Sequence, residues 1–173
     1  MNTYSNTQSK MNTKTLVYIA LLIALSFIGA QIKIFGSSSI ALDALPAFFA
    51  ALLLGPAAGA IVGAVGHLLT AITGGFPMSI PIHLIVMMLM AIICGLFGYL
   101  NGKINIGLNV IVAILLNGIV ATYLSVFAMQ LLGAIPSANE LFMILVGPLT
   151  IASTINVVVA ALLYKIVKDK IKL

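Results

Sequence analysis

Long apolar runs separated by short polar segments dominate the chain. A helix needs about 20 apolar residues to cross the hydrocarbon core of a bilayer, and fewer where it begins or ends in a cavity lined by protein. By that measure the pattern predicts six membrane spans, at about 14–32, 42–54, 56–73, 80–100, 105–133 and 139–167. The second span is short, and only the tight turn "LGP" at 54–56 separates it from the third.

The composition agrees with this pattern. Of the 173 residues, 62% are hydrophobic and 6% are charged, whereas a soluble domain carries about 25% charged residues. Eight lysines and three acidic residues are too few to cover a surface exposed to water, and the chain has no arginine. The sequence therefore predicts an all-α integral membrane protein, a compact bundle of six transmembrane helices.

The lysines predict the orientation of this bundle. If both termini are cytoplasmic, seven of the eight lysines lie inside and only Lys33 lies outside, as the positive-inside rule expects. We therefore expect a polar cytoplasmic lead at 1–13, a six-helix membrane domain at 14–167 and a basic cytoplasmic tail at 168–173. A secretory signal cleaved near "ALSFIGAQ" is the alternative, and its removal would break the even number of spans.

Several classes of function are disfavoured by what the chain lacks. The lysines lie at segment boundaries and not on one face with aromatic residues, so we expect no nucleic acid partner. Cys94 is the only cysteine, and with two histidines it is too little for a disulfide or a structural zinc site. No phosphate-binding loop, zinc-protease motif or serine-hydrolase motif occurs. We therefore expect neither an enzyme nor a cofactor nor a bound metal.

Three ionisable residues fall near the predicted outer ends of spans two, three and four. Because such side chains are costly at membrane depth, Asp43, His67 and His83 are candidates for one outward-facing binding pocket. Each has a structural alternative. Asp43 can cap the following helix, His67 can hydrogen-bond a neighbouring helix, and His83 can lie among lipid headgroups.

Spans five and six carry further polar candidates. Asn117 and Tyr123 lie in span five, within "LLNGIVATYLSVFAMQ". Ser153 and Asn156 lie in span six, within "GPLTIASTINVV". A buried amide needs a hydrogen-bond partner, so pairing between helices is as good an explanation for the two asparagines as contact with a ligand.

Small residues predict where helices approach one another. Gly55, Gly59 and Gly63 recur every four residues and would share one face for close packing. Ala20 and Ala24 form a smaller flat patch on span one. The loop after span one contains glycine and three serines, and is either a flexible lid over an outer pocket or an inert connector; its candidates are Gly36, Ser37, Ser38 and Ser39.

The segment "LLLGPAAGAIVGAVGH", with the pattern LLLGPxxGxxxGxxxH, and the A-x-x-x-A patch of Ala20 and Ala24 resemble the substrate-binding S components of energy-coupling factor (ECF) transporters. The resemblance implies a subunit that binds a vitamin or vitamin precursor near the outer face of a prokaryotic plasma membrane. It also implies docking on a shared transmembrane scaffold driven by two cytoplasmic ATPases. Ala20 and Ala24 would then contact the scaffold, and residues 33–42 would form the gating loop.

Within that family, Asp43, His67 and "TGGFP" are most similar to the subgroup assigned to α-ribazole, a nucleoside used in cobalamin salvage. Phe76 would contact the base, while carboxylate and imidazole groups would bind the ribose hydroxyls. S components for pantothenate, pyridoxine or a pyrimidine precursor are the alternatives. Outside the family, the alternatives are a self-sufficient carrier coupled to protons through Asp43 or His67, and an assembly protein whose glycine faces bind partners.

Overall fold

The computed structural model describes residues 12–31, 42–76 and 79–170. Most of the predicted N-terminal lead, the end of the predicted tail and most of the predicted gating loop lie outside these residues. Gly36, Ser37, Ser38 and Ser39 therefore remain candidates from the sequence alone.

The described residues form six helices and contain no strand, which confirms the all-helical prediction for this part of the chain. The helices are α1 (Thr13–Gly29), α2 (Leu45–Leu54), α3 (Pro56–Thr73), α4 (Ile80–Leu100), α5 (Ile106–Leu131) and α6 (Ala138–Val167).

Four of these helices, α3 to α6, are long and apolar enough to cross a membrane. Helix α1 has 17 residues and α2 has 10. At about 1.5 Å per residue, α2 extends for roughly half the thickness of the hydrocarbon core. The structure thus shows a multi-pass membrane protein, while six full crossings stay a prediction.

Each of the last two helices departs from regular α-helical hydrogen bonding near its middle. Helix α5 contains a π-helical turn at Leu116–Val120, and α6 contains Pro148. Proline has no amide hydrogen to donate to the preceding turn, and π-turns inside α-helices often mark functional sites. The two irregular segments are neighbours, because a Cβ added at Gly118 would lie 2.8 Å from the Cα of Thr150.

The glycines of α3 contact three different helices. A Cβ added at Gly59 would collide with Ala51 of α2, and one at Gly63 would lie 3.1 Å from the carbonyl oxygen of Met90 in α4. One added at Gly66 would collide with the Ser26 side chain of α1. Successive glycines at this spacing therefore let α3 pack against α2, α4 and α1, and not against one common partner.

Gly55 corrects the predicted set of packing glycines. A Cβ at this residue would meet nothing within 4 Å, and its φ of +95° lies in a region that side chains rarely adopt. Gly55 is therefore the turn residue that joins α2 to α3, and Pro56 begins the next helix. The fixed φ of proline suits that first helical position.

The apolar core fills one half of the bundle. Phe48 of α2 and Phe97 of α4 meet edge to face with ring centroids 5.4 Å apart, and both are almost completely buried. Val62, Cys94 and Val157 complete this layer with no exposed surface. The opposite half, where α1, α3 and α5 end and α2, α4 and α6 begin, is the distal end. It contains a cavity lined by described residues.

Candidate solute-binding site

A cavity of about 300 Å³ opens at the distal end of the bundle. Its walls come from the two residues preceding α2 and from α3, α4, α5 and α6. The polar side chains in its lining are Asp43, His67, Thr70, His83, Asn117, Thr122, Ser125, Ser153 and Asn156. The remaining lining is mostly aliphatic, so the cavity combines apolar surface with two groups of polar side chains.

The first group is a row of ionisable side chains on one wall, which we call the Asp43–His67–His83 row. Nδ1 of His67 lies 3.9 Å from a carboxylate oxygen of Asp43. On the other side of the same ring, Nε2 of His67 lies 3.3 Å from Nδ1 of His83. The structure therefore brings together the three ionisable residues that the sequence proposed for an outer pocket.

Asp43 is held in place by α1 and by its own position ahead of α2. The Ser26 hydroxyl donates a hydrogen bond to the backbone carbonyl of Asp43, and Gly66 leaves the space that the Ser26 side chain occupies. The carboxylate also lies beside the Thr70 side chain and accepts hydrogen bonds from the amides of Asp43 and Ala44. Amides at the start of a helix favour a nearby negative charge.

His83 is the most buried member of the row, at 5% exposed. Its Nε2 atom has no hydrogen-bond partner among the described residues. Phe76 covers one side of the ring, with centroids 5.7 Å apart and the two rings nearly perpendicular. Phe76 itself is outside the cavity lining, so in this structure it contacts the site through His83.

The second polar group joins α5 to α6. The Asn117 amide donates to the Ser153 hydroxyl at 3.1 Å, and both side chains line the cavity. Asn117 lies in the π-turn of α5, and Gly118 beside it allows the close approach of α6. The sequence left two explanations for Asn117, pairing between helices and contact with a ligand. In the structure the side chain makes the contact between helices and also faces the cavity.

Tyr123 lies away from the cavity. Its side chain is 41% exposed, and its ring packs against Phe127 and Phe142 with centroids 6.1 Å and 5.4 Å away. Adjacent residues of a helix point about 100° apart, and Thr122 rather than Tyr123 faces the cavity. Tyr123 is therefore not among the residues that we expect to contact a solute in the cavity.

Three polar lining residues were not singled out by the sequence: Thr70, Thr122 and Ser125. A signal was available for two of them. Residues 118, 122, 125 and 129 follow the spacing of one helix face, and three of these four line the cavity. The face was hard to recognise because Ser and Thr hydroxyls in helices commonly bond to their own backbone.

The charge of the cavity comes from its one carboxylate. Within the described lining there is one acidic residue, there are two histidines, and there is no lysine. No group of three or more His, Cys, Asp or Glu side chains in the described part of the chain is arranged to hold a metal ion. The site therefore suits an organic solute rich in hydroxyl or amine groups better than an anion.

The predicted docking patch lies away from the cavity, on the side of α1 that faces away from the bundle. Ala20 and Ala24 are both exposed, together with the larger neighbours Leu21 and Leu25. Helix α1 packs on α2 and α3 through its other side. A flat apolar surface is thus left open to lipid or to another membrane protein.

A comparison with protein families identifies a family to which the chain is similar. The model described as "ECF transporter, substrate-specific component" matches residues 14–168. No curated protein and no solved structure matches the chain significantly. Because the family match extends over all six helices, the chain belongs to the family of substrate-specific components of ECF transporters.

Proposed function

We propose that this chain is the high-affinity binding subunit of an ECF importer for a neutral vitamin precursor of the nucleoside class, α-ribazole. The solute enters from the distal end of the bundle, which faces the outside of the cell membrane. The observation that carries the proposal is the cavity itself, with a carboxylate–imidazole row on one wall and hydroxyl and amide groups on another.

The family already establishes the coarser part of this function. A substrate-specific ECF component is a membrane transport subunit and not an enzyme. It takes a small-molecule substrate and works with the ECF scaffold and its ATPase partners. The identity of the solute and the surfaces used by the partners are the parts that we propose.

The size of the cavity favours a single small solute. Pockets for small molecules measure about 300–1,000 Å³, and this cavity is at the lower end of that range with about 300 Å³. A nucleoside is compatible with that volume, whereas an assembled corrinoid is far too large. The apolar lining of Val86, Leu89, Val126 and Leu145 offers the non-polar contacts that a benzimidazole ring requires.

The polar groups fit the sugar of a nucleoside. A carboxylate and neutral imidazole nitrogens accept hydrogen bonds from hydroxyls, and Asp43 and His83 offer such acceptors at the cavity wall. The Ser125 hydroxyl, which donates to the Ala121 carbonyl, adds an acceptor, and the Asn117 amide adds a group that can both donate and accept. A buried hydrogen bond of this kind also contributes selectivity, because a solute without the matching group leaves the site unsatisfied.

Charge separates this solute from pantothenate, one of the alternatives within the family. The carboxylate of pantothenate would enter a cavity whose described lining carries Asp43 and no lysine. Burial of an unpaired negative charge is unfavourable. Pyridoxine and pyrimidine precursors are uncharged or weakly basic, and they are the competitors that an experiment has to separate from α-ribazole.

Binding to the purified chain tests the proposal directly. Native mass spectrometry of the protein purified from cells identifies any solute that remains bound. Isothermal titration calorimetry against α-ribazole, pantothenate, pyridoxine and a pyrimidine precursor then ranks them. We expect α-ribazole to bind most tightly. Tighter binding of another compound would identify that compound, and not α-ribazole, as the solute. If none of the four compounds bound, the proposal of a vitamin precursor would fail.

A second candidate function is a proton-coupled carrier that needs no ATPases, since the Asp43–His67–His83 row resembles a path for a proton. Liposomes that contain the chain alone distinguish it from an ECF subunit. Uptake of α-ribazole driven by a proton gradient would favour the carrier. Uptake that requires the scaffold, the ATPases and ATP supports the ECF importer.

A further inference from the structure

The hydrogen bonds along the Asp43–His67–His83 row run in one direction, which depends on which ring nitrogens donate and which accept. Each ring in it has one nitrogen that is a donor and one that is an acceptor when the imidazole is neutral. Nδ1 of His67 faces the carboxylate at 3.9 Å, and Nε2 of His67 faces Nδ1 of His83 at 3.3 Å. The free end of the row is Nε2 of His83, which is buried and has no partner among the described residues.

The carboxylate at the other end sets the direction. The amides of Asp43 and Ala44 at the start of α2 contact the side chain of Asp43 and offset part of the cost of burying its negative form. A negative carboxylate attracts the N–H side of the facing ring, so the proton of His67 resides on Nδ1. Nε2 of His67 is then an acceptor, and the proton of His83 must be on Nδ1 to complete the contact between the rings.

We propose that the row fixes Nε2 of His83, a residue that lines the cavity, as a hydrogen-bond acceptor, so that the solute must present a hydroxyl or N–H group to it. This inference rests on the proposed function for the role of the cavity. It deepens that function by naming the group that the solute needs. The ribose of a nucleoside supplies such hydroxyls, and a solute with only acceptor atoms on this side is rejected.

A solute that offers an acceptor could bind only if the whole row were reversed. Nε2 of His83 would then carry its proton, Nδ1 of His83 would accept from Nε2 of His67, and Nδ1 of His67 would accept a proton shared with Asp43. One proton taken from the solvent would have to reside on the Asp43 carboxyl group. The row therefore couples the polarity of the solute to proton uptake.

Among the described residues, no titratable side chain outside this row lines the cavity wall. Cys94 of α4 is fully buried and packs near Gly63, below the row. Glu140 of α6 is exposed and is not among the lining residues. The parts of α3, α4, α5 and α6 that line the cavity contribute no lysine within the described chain.

The two histidines make a direct test possible, because they are the only ones in the chain. Protein labelled with ¹⁵N at histidine and placed in lipid nanodiscs gives four ring nitrogens, whose shifts distinguish protonated from bare nitrogen. We expect both rings to be neutral at pH 7 with the proton on Nδ1. A His67→Gln variant serves only to assign the signals. A proton on Nε2 of His83 in the unmodified protein would overturn the proposal.

Removal of the carboxylate provides a second measurement. In Asp43→Asn the row loses the charge that sets its direction, so we expect a second tautomer to appear at both histidines. Glu140→Gln removes the same charge from an exposed residue outside the cavity and should leave the spectrum unchanged. Unchanged tautomers in Asp43→Asn would also overturn the proposal.

Calorimetry separates this inference from the identity of the solute. Titration of the full chain with α-ribazole in buffers of different ionisation enthalpy counts the protons taken up. We expect no net uptake, and uptake of one proton would show that the row reverses. If α-ribazole does not bind, the proposed solute fails, while the tautomers of the free protein still decide whether the row has the stated direction.

Discussion

At the scale of single residues, His67 occupies the central position of the site. Its ring lies between the Asp43 carboxylate and the His83 ring, with one nitrogen facing each. Loss of this ring would leave Nδ1 of His83 without its partner in addition to the unpartnered Nε2. Unsatisfied buried polar groups cost free energy, so the effect of a substitution here extends beyond one contact.

We therefore predict that His67→Ala weakens α-ribazole binding at least tenfold, which corresponds to about 1.4 kcal/mol. Isothermal titration calorimetry of the purified variant measures the change. Thr73→Ala is the matched control, because Thr73 lies on the same helix, is exposed and is outside the cavity lining. Equal affinities for His67→Ala and the unmodified protein would assign His67 a purely structural role.

The sequence was sufficient to predict that the ionisable residues of the candidate site lie together, but not which hydroxyl groups line the cavity. Asp43, His67 and His83 stand out because ionisable side chains are rare in apolar segments. Thr70, Thr122 and Ser125 do not, since each hydroxyl donates to a carbonyl one turn earlier. Such a bond is possible at any helical position, and only the tertiary structure shows which of these side chains also faces the cavity.

At the scale of helices, the glycines of α3 determine how closely its neighbours approach. Gly59 permits contact with α2, Gly63 with α4 and Gly66 with α1. Helices in lipid gain little from hydrophobic burial and associate through close packing of this kind. The position of His67 in the site therefore depends on small residues one and two turns away.

We predict that Gly59→Ala lowers the thermal stability of the protein, because the new Cβ would collide with Ala51. Overpacking of this type costs about 1–3 kcal/mol. Gly147→Ala is the control, since a Cβ at this helical glycine meets nothing within 4 Å, and it should be neutral or slightly stabilising. Cys94 is the only cysteine and is fully buried, so a thiol-reactive dye can follow unfolding in detergent. Equal melting temperatures for both variants would contradict the packing role of Gly59.

The helix boundaries could be predicted where the chain carries clear signals and not elsewhere. The predicted third and fourth spans coincide with α3 and α4, whose first turns contain Pro56 and Pro81. The π-turn at Leu116–Val120 was not predictable. An apolar run that continues through a π-turn keeps its hydropathy, and only the hydrogen bonds between backbone atoms reveal the change.

At the scale of the whole molecule, the lysines of the described residues and the cavity lie at opposite ends. Lys14 and Lys165 are near the start of α1 and the end of α6, and Lys103 follows α4. The cavity lies at the distal end, where α3 ends and α4 begins. If the positive-inside rule holds here, the mouth of the cavity faces the outside of the cell.

We predict that Ala134→Cys, in the turn between α5 and α6, reacts with a membrane-impermeant thiol reagent added to intact cells. Asp169→Cys, at the opposite end, should react only after the cells are permeabilised. Both residues are exposed, and neither substitution removes a lysine that sets the orientation. The unmodified protein, with Cys94 buried, is the blank. The reverse pattern of labelling would place the cavity on the cytoplasmic side and would contradict uptake from outside.

The separation of the cavity from the exposed face of α1 leads to a prediction about the assembled transporter. Ala20 and Ala24 lie on a face that contacts neither the cavity nor α6. Binding of the solute and docking on the scaffold should therefore respond to different substitutions. We predict that Ala20→Leu keeps the affinity of the purified chain for α-ribazole, because the new side chain points away from the bundle.

The same variant should lose most ATP-dependent uptake in proteoliposomes that contain the scaffold and both ATPases, because a larger side chain separates two closely packed helices. Gly147→Leu adds comparable bulk to an exposed position of α6, a helix that does not contact α1, and should transport normally. Full transport by Ala20→Leu would remove this face from the docking surface. Loss of binding together with transport would show instead that α1 supports the cavity, through the contact of Ser26 with Asp43.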